Sequence, residues 1–480
     1  MLEARAHDQL KALLRHEGRD RWPHHLSLAR LVARSLRRQD HTLVRLLPGT
    51  DPSWLIGLLV PLTLSEASLA LVVSEPLRQR LLRVELPRLQ AADPGLALPC
   101  FEGDEPGDAR VWLLSHRQLV QAWQTDRLGD RQLVIPEAEH LDEQLRQALE
   151  IRLAPEHWEQ LRRAHPQIGG ALLDIHQRLS RRILSHPHTP HGLVPIADEA
   201  EAPLRQLLSL LGNLPEPWQR WREQSGPAWT SWARRDAQLL QWTLQRQPLD
   251  PLEALGGLVR QRGTVLVGQL GPGDGAGSLF GHQPDVSVEL GDPPLGDPLP
   301  LYAPLRQPLP NSPSYADHLL SQCRRLMLGQ AGLSVVLLDD EQLRRGLASA
   351  LAAEFGRRVV EETTAPESNG VLCCRWRWWL EHQSALPLPE QVVVALLPIA
   401  SLEDPLTAAQ VQRLRQQGRD WFRERLLPDG LTRLQLAVAG LRRTGGRLAI
   451  LDGRLRGRSW GHQVLRSLEP WLQLNRLIPL

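Results

Sequence analysis

Lysine is almost missing from this chain of 480 residues: Lys11 is the single example, and arginine supplies every other side-chain cation except histidine. This bias indicates a GC-rich coding sequence before it indicates phosphate binding, although arginine does bind phosphate with paired donors. An excess of one charge is also missing, because 56 basic residues are balanced by 54 acidic ones and leave a net charge of +2. Net charge alone therefore gives no support to nucleic-acid binding.

Cysteine is scarce, and the four examples, Cys100, Cys323, Cys373 and Cys374, form no C-x-x-C pair and no metal-ligand spacing. We expect a reduced cytoplasmic protein without disulfides or a metal site. Long hydrophobic runs are missing as well, since the longest, from Trp54 to Leu64, is well short of the roughly 20 residues that span a bilayer. The N-terminal sequence MLEARAHDQL mixes both charge signs, so we expect neither a signal peptide nor membrane association.

The length and the apolar fraction of 42% are typical of a soluble globular protein with two or three domains. Apolar runs of strand length alternate with helical patterns in the first and last thirds, which predicts α/β domains with parallel sheets. Between 145 and 250 leucine and arginine recur at helical spacing and tryptophan is frequent, which predicts a helical insertion. The predicted boundaries are 1–144 and 251–295 for the first domain, 145–250 for its insertion and 296–480 for the second domain.

The stretch Leu43 to Leu64 has the layout of a phosphate-binding loop, with an apolar strand, a turn and an apolar helix. Such a loop surrounds phosphate with backbone N–H groups and reads G-x-x-x-x-G-K-[ST]. Here Pro52 replaces the lysine and Asp51 replaces the last glycine, and two like charges about 4 Å apart repel by roughly 4 kcal/mol at a dielectric constant near 20. A surface turn that binds nothing and a nucleotide site without turnover both remain open. The candidate nucleotide ligands of the turn are Gly49, Thr50 and Ser53.

The last third carries the most specific motifs. Leu397-Pro398 is followed by Asp404-Pro405-Leu406, and a later strand ends with Ile450-Leu451-Asp452 before Arg454. With degenerate upstream segments in the same order, these motifs resemble the DinG/XPD-like helicases of superfamily 2. The resemblance implies two RecA-like parallel-sheet domains, with the insertion in the first. It also implies ATP and Mg²⁺ as cofactors and single-stranded or forked DNA as the partner.

The departures from the family's motifs fall where the chemistry would take place. By resemblance, Glu137 keeps the position of the residue that activates water, but Pro136 replaces the aspartate that holds Mg²⁺. Gln435 and Arg442 match the last motif as nucleotide-binding and catalytic residues, whereas its first arginine aligns with Ala439. Loss of one charge-stabilising group costs about two to three decades of rate. We therefore expect ATP hydrolysis to be weak or lost.

Members of this family often carry an iron–sulfur cluster held by four cysteines between the first two motifs. Only Cys100 lies in that interval here. One thiolate cannot hold a four-iron cluster, so we expect none.

Tryptophan and arginine are interleaved in two stretches, 218–242 and 375–379. Aromatic rings stack on bases and arginines bind phosphates in sequence-neutral recognition of single strands. The alternative is that the tryptophans fill a core while arginine side chains extend to water. The candidate nucleic-acid contacts are Arg375, Trp376, Arg377 and Trp378.

Three functional hypotheses follow from the sequence. We prefer a DNA-binding helicase homologue with lost or weak ATP hydrolysis. The second is an active ATP-dependent DNA helicase with substitutes for the missing groups, and the third is a protein-interaction scaffold on the helicase fold. ATP turnover with and without DNA separates the first two. Salt-dependent binding to an oligonucleotide separates both from the third.

Overall fold

The computed structural model describes residues 1–17, 22–47, 50–105, 109–187, 192–236, 240–255, 257–270, 282–291 and 298–474. The chain divides into two compact units. Unit 1 comprises Met1–His140, Gly257–Ile399 and Leu426–Leu480, and unit 2 comprises Leu141–Gly256 and Ala400–Arg425.

Strands and helices alternate along much of the chain. The strands are β1 (His41–Leu46), β2 (Leu69–Val72), β3 (Cys100–Phe101), β4 (Val111–Leu114), β5 (Gln132–Pro136), β6 (Ile151–Leu153), β7 (Leu193–Pro195), β8 (Trp229–Asp236), β9 (Gln241–Pro248), β10 (Thr264–Gly268), β11 (Val286–Leu290), β12 (Leu299–Tyr302), β13 (Ser334–Leu337), β14 (Val359–Glu361), β15 (Val371–Cys374), β16 (Gln391–Val394), β17 (Arg447–Ile450) and β18 (Trp471–Gln473). The helices are α1 (Leu2–Glu17), α2 (His25–Arg38), α3 (Trp54–Leu64), α4 (Glu75–Arg80), α5 (Leu86–Ala92), α6 (His116–Gln124), α7 (Leu141–Leu149), α8 (Pro155–Ala164), α9 (Gly169–Leu184), α10 (Asp198–Ser209), α11 (Trp218–Glu223), α12 (Pro251–Ala254), α13 (Tyr315–Met327), α14 (Glu341–Phe355), α15 (Trp376–His382), α16 (Pro405–Gln416), α17 (Leu427–Thr444), α18 (Arg454–Gly457) and α19 (Gly461–Ser467). Segments of π-helix lie at Leu81–Glu85 and Phe422–Leu426.

The first sheet of unit 1 has the strand order β11-β1-β10-β5-β2-β4-β3, and its described pairings are parallel. The strands β2, β4 and β5 are buried along their whole length, which agrees with their continuous apolar sequences. Helices α1, α2 and α3 contribute to the core on one face of this sheet.

Helix α3 is the apolar run Trp54 to Leu64 and is buried on all sides from Trp54 to Thr63. Its lack of a polar face is explained by this position inside the core of unit 1. In the part of the chain that the structure describes, no helix combines the length and the apolar character needed to cross a membrane.

The second sheet of unit 1 has the order β14-β15-β13-β16-β17-β12-β18, again with parallel pairings. Successive side chains of a strand point to opposite faces. Val335 and Leu337 therefore join the core that contains α15 and α17, while Val336 and Leu338 join the core that contains α13 and α14. A parallel sheet covered by helices on both faces is an α/β arrangement. The prediction of two RecA-like parallel-sheet domains is confirmed.

Unit 2 combines helices α7 to α11 with a four-stranded antiparallel sheet of order β6-β9-β8-β7. The stretch 145–250, predicted as a helical insertion, contains a strand pair besides its helices, formed by Trp229–Asp236 and Gln241–Pro248. Trp232 and Gln245 lie opposite each other in this strand pair, and Trp232 donates its Nε1–H to Gln245 Oε1 at 2.8 Å. Cross-strand contacts of this kind override the local helical spacing.

The segment 400–425 also belongs to unit 2, although the predicted boundaries placed it inside 296–480. Gln410 on α16 donates to the Leu249 carbonyl oxygen at 3.0 Å. Arg413 lies 2.9 Å from the carboxylate of Glu253. These partners are about 160 residues apart in sequence, so no local pattern could indicate the contact.

Candidate functional site

The candidate site lies at the carboxyl ends of the strands of the first sheet. Ligands of open parallel sheets bind outside this edge. The residues that follow β1, β2, β5 and β10 there include Asp51, Ser74, Glu137, Glu139 and Gln269. Their contacts determine whether the edge can accept a triphosphate.

In the turn between β1 and α3, donors of Thr50 and Ser53 are hydrogen-bonded to acceptors within the turn. Thr50 donates both its N–H and its hydroxyl to the Leu47 carbonyl oxygen, at 3.1 and 2.6 Å. The Ser53 N–H donates to Asp51 Oδ1 at 2.8 Å, and Pro52 has no N–H. In a nucleotide loop such N–H groups would bind phosphate oxygens. The carboxylate of Asp51 takes the place of one of those oxygens.

Carbonyl oxygens of the same turn face side-chain donors. The contacts are Arg443 Nη1 to Thr50 at 3.4 Å, Arg80 Nη2 to Pro52 at 3.3 Å and His25 Nε2 to Ser53 at 3.0 Å. Burial lowers the pKa of Arg443, and the negative charge of Asp51 counteracts that effect. Because Arg443 lies on α17 beside the second sheet, this contact links the turn to the other α/β domain of unit 1.

The two hydroxyl groups of the turn, those of Thr50 and Ser53, differ in their availability to a nucleotide or its Mg²⁺. Ser53 Oγ, the expected magnesium ligand of such a loop, is buried and has no hydrogen-bond partner among the described residues. The hydroxyl of Thr50 is used by the turn itself. Gly49, the remaining candidate ligand, lies outside the described residues.

Glu137 lies at the sheet edge directly after β5. Its Oε2 accepts a hydrogen bond from the Ser74 hydroxyl at 2.5 Å. Burial raises the pKa of the Glu137 carboxyl group, while the nearby His140 and the hydrogen bond from Ser74 partly offset this. Its backbone φ of +58° lies in the left-handed region, which is costly for a residue with a side chain.

Glu139 supplies a second carboxyl group at this edge of the sheet. Its Oε2 accepts a hydrogen bond from the Gln269 N–H at 3.0 Å. Burial raises its pKa to about 7, and hydrogen bonds from the backbone of Glu139 itself and of Gln269 partly offset the rise. A β-carbon on Gly268 would lie 2.3 Å from the Glu139 carboxylate, so the contact requires glycine there.

Among the described residues, no group of three or more histidine, cysteine, aspartate or glutamate side chains could hold a metal ion. Cys100 lies on the edge strand β3, and burial raises the pKa of its thiol to about 11. Cys323, Cys373 and Cys374 belong to the second sheet and its helices, where all three are buried. These residues do not fit an iron–sulfur cluster.

Among the described residues, the side-chain hydrogen-bond partners of Gln435 and Arg442 lie in the segment 467–469 and not in the turn. Gln435 donates to the Ser467 carbonyl oxygen at 3.0 Å, and Arg442 donates to that of Leu468 at 2.6 Å. The neighbouring Arg443 reaches the turn instead. Adjacent residues on a helix point about 100° apart. Arg443 is therefore a contact of the turn that the sequence reasoning missed, and the catalytic role of Arg442 stays a prediction.

No family model matches the chain. A stretch of 176 residues is 27% identical to the ATP-dependent DNA helicase YoaA of Escherichia coli (strain K12), covering 34% of this chain and 28% of that protein. The structure of S. tokodaii Xpd4 covers 92% of this chain and 97% of its own, with a TM-score of 0.59 and 14% identity. The chain has the fold of the XPD/DinG-like superfamily 2 helicases. The Mycobacterium smegmatis helicase Lhr bound to ssDNA and AMP-PNP aligns with a TM-score of 0.43 and 13% identity, over 92% of this chain and 48% of its own.

In this helicase fold, Trp376 is a core residue of the second sheet. Its side chain is 1% exposed and donates to the Leu396 carbonyl oxygen at 3.0 Å. Trp379 is equally buried and donates to the Ala437 carbonyl oxygen at 3.2 Å. A ring without exposed faces cannot stack on a base, so the stacking role predicted for Trp376 is corrected.

The other predicted nucleic-acid contacts lie nearer the surface. Arg375 and Arg377 are exposed and pair with acidic side chains. The pairs are Arg375 with Glu362 at 2.7 Å and Arg377 with Glu381 at 2.9 Å. Trp378 is half-buried and stacks on His382 with 4.5 Å between ring centroids. These three residues keep access to a ligand, although each already has a partner.

Proposed function

We propose that this chain binds single-stranded or forked DNA on a helicase fold and does not hydrolyse ATP. The observation that supports the second part is the self-closed turn, in which Asp51 accepts the Ser53 N–H. A bound phosphate would have to displace this carboxylate and then remain beside it. At about 4 Å the repulsion is roughly 4 kcal/mol at a dielectric constant near 20.

Groups that stabilise a developing negative charge are also replaced. By resemblance to the family's motifs, Pro52 replaces the lysine, Pro136 replaces the magnesium ligand and Ala439 replaces the arginine finger. Each such group contributes about two to three decades of rate. The combined loss leaves no route to a useful turnover rate. Weak nucleotide binding without hydrolysis is compatible with the proposal.

The DNA part of the proposal has separate support. The partial relative YoaA is named as a DNA helicase, and the alignment covers little more than a third of this chain. The resemblance of the motifs adds the expectation of a single-stranded or forked substrate. Arg375, Arg377 and Trp378 remain candidate contacts at the surface of the second domain.

The test is steady-state ATP hydrolysis by the full chain with and without single-stranded DNA, together with ATP affinity by calorimetry. We expect no DNA-stimulated hydrolysis from the wild type. We expect the double variant D51G/P52K to bind ATP more tightly than the wild type yet still not hydrolyse it, because the metal ligand is missing. The matched control is Asp51→Asn, which removes the charge and keeps an oxygen for the Ser53 N–H. DNA-stimulated turnover by the wild type would disprove the proposal.

A further inference from the structure

A cavity at the carboxyl end of the second sheet is lined by arginine and by no carboxylate. Its volume is about 520 Å³, and its walls are residues 304–309 together with Gly453, Arg456 and Gly457. The two wall segments follow β12 and β17, which are neighbouring parallel strands. Parallel sheets bind ligands outside this edge. The cavity belongs to the other sheet from the nucleotide turn, and one of its walls includes Gly453 of the motif that ends with Asp452 and Arg454.

The cations of this cavity are not neutralised within the described part of the chain. Arg306 is exposed and its guanidinium has no ion pair or hydrogen bond there. Arg456 is exposed, and its Nη2 has a single weak contact, 3.4 Å from Gln473 Oε1. Arg454 differs, because it pairs with the buried Asp452 at 2.7 Å. The cavity therefore presents two positive charges to solvent.

The walls of the cavity are held in place before any ligand binds. Gln307 donates to the Ile450 carbonyl oxygen at 3.1 Å and to that of Pro304 at 3.2 Å. Gly453 packs so closely on the other wall that a β-carbon there would lie 2.3 Å from the Pro308 carbonyl oxygen. A preformed site loses less entropy on binding than one that must be ordered.

We propose that this arginine cavity, defined by Arg306 and Arg456, binds phosphate groups of a nucleic-acid strand. Guanidinium groups form paired, charge-assisted hydrogen bonds with phosphate oxygens. Leu305 lies beside them, 78% exposed, and offers an apolar surface to a sugar or base that a free phosphate would not use. The inference rests on the proposed DNA binding and adds the place at which the strand is held.

The experiment measures binding of fluorescein-labelled oligothymidylate to the full chain over a series of salt concentrations. Each phosphate contact adds about 0.7 to the slope of log K against log salt for single strands. We expect the double variant R306Q/R456Q to lose at least about tenfold in affinity at low salt and to lower this slope by about 1.4. Leu305→Ser should weaken oligonucleotide binding with no change of slope.

The matched control is the double variant R324Q/R357Q. It also removes two exposed arginines, but these pair with Glu354 and Glu367 and precede the amino ends of β13 and β14. An equal loss in both double variants would overturn the cavity assignment. Two results together would show that the cavity binds free polyphosphate and would disprove binding of a nucleic-acid strand there. Inorganic tripolyphosphate would displace the oligonucleotide at the same phosphate concentration, and Leu305→Ser would have no effect. No binding by the wild type at low salt would instead contradict the proposed function itself.

Discussion

The buried carboxyl group of Glu139 makes folding of unit 1 depend on pH. Its pKa rises from an ordinary value near 4.5 to about 7, because burial penalises the charged form. Between these two values the folded chain binds more protons at this site than the unfolded chain. The contribution of Glu139 to the free energy of unfolding therefore falls as pH rises from about 4.5 to 7, by about 3 kcal/mol in all.

We predict that Glu139→Gln removes this penalty. The glutamine oxygen can still accept the Gln269 N–H, so the variant should match the wild type near pH 4.5 and be more stable by up to about 3 kcal/mol near pH 8. Urea unfolding of both proteins at each pH measures the difference. Burial lowers the pKa of His116 to about 4, which has the opposite pH dependence, but this effect is common to both proteins and cancels. A difference that does not change with pH would contradict the assignment.

At the scale of single residues, the sequence shows which nucleotide-binding groups of the family are replaced. It does not show where the side chains that remain are directed. The replacements Asp51 and Pro52 are read directly from the chain, and the structure adds that the Asp51 side chain caps its own turn. The choice between Arg442 and Arg443 depends on the rotation of α17 about its axis. That rotation is set by packing against the second sheet. Because Arg442 and Arg443 are adjacent and identical, the sequence does not indicate which of them faces the turn.

Among the elements, strands buried on both faces were the easiest to predict. Continuous apolar runs such as LALV, residues 69–72, need no knowledge of their partners. The strands 229–236 and 241–248 were missed because they mix tryptophan, arginine and glutamine, and each is stabilised by its pairing with the other. The same ambiguity affected Trp376, which fills a core despite the arginines on either side.

Helix α10 is attached to the sheet of unit 2 by a buried ion pair. Glu201 on α10 and Arg246 on β9 are 7% and 4% exposed in their side chains and are in direct contact. The guanidinium carbon of Arg246 also lies 3.9 Å from the centre of the Trp221 ring, and Trp221 donates to Glu201 Oε1 at 3.2 Å. Burial lowers the pKa of Arg246 to about 10, which leaves the side chain charged at neutral pH.

We predict that Glu201→Ala destabilises unit 2 by about 3–5 kcal/mol, because it leaves this guanidinium charged and buried without its partner. Tryptophan fluorescence during urea unfolding measures the change, since seven of the 16 tryptophans of the chain lie in unit 2. The control is Asp174→Asn, which breaks the exposed pair with Arg178 and should cost less than about 1 kcal/mol. Equal losses in the two variants would show that the buried pair has no special role.

On the scale of the whole molecule, unit 2 is assembled from two distant parts of the chain. Pro405, Thr407 and Val411 on α16 are buried, and the helix lies against β7 and β8. Arg413 pairs with Glu253 in the same unit. The hydrogen-bond and ion-pair partners of α16 at Leu249 and Glu253 lie about 160 residues earlier in the chain, so its membership of unit 2 appears only in the fold.

We predict that the fragment 141–256 does not fold stably without the segment 400–425, because the apolar face that α16 covers would be exposed to water at roughly 25 cal/mol per Å². A fusion of the two segments through a flexible glycine–serine linker should restore a cooperative urea transition, since such linkers impose little geometry. The same fusion carrying Val411→Asp places a charge in the buried contact and should unfold at lower urea. If the fragment alone unfolded cooperatively and at the same urea midpoint as the fusion, α16 would not contribute to the stability of unit 2.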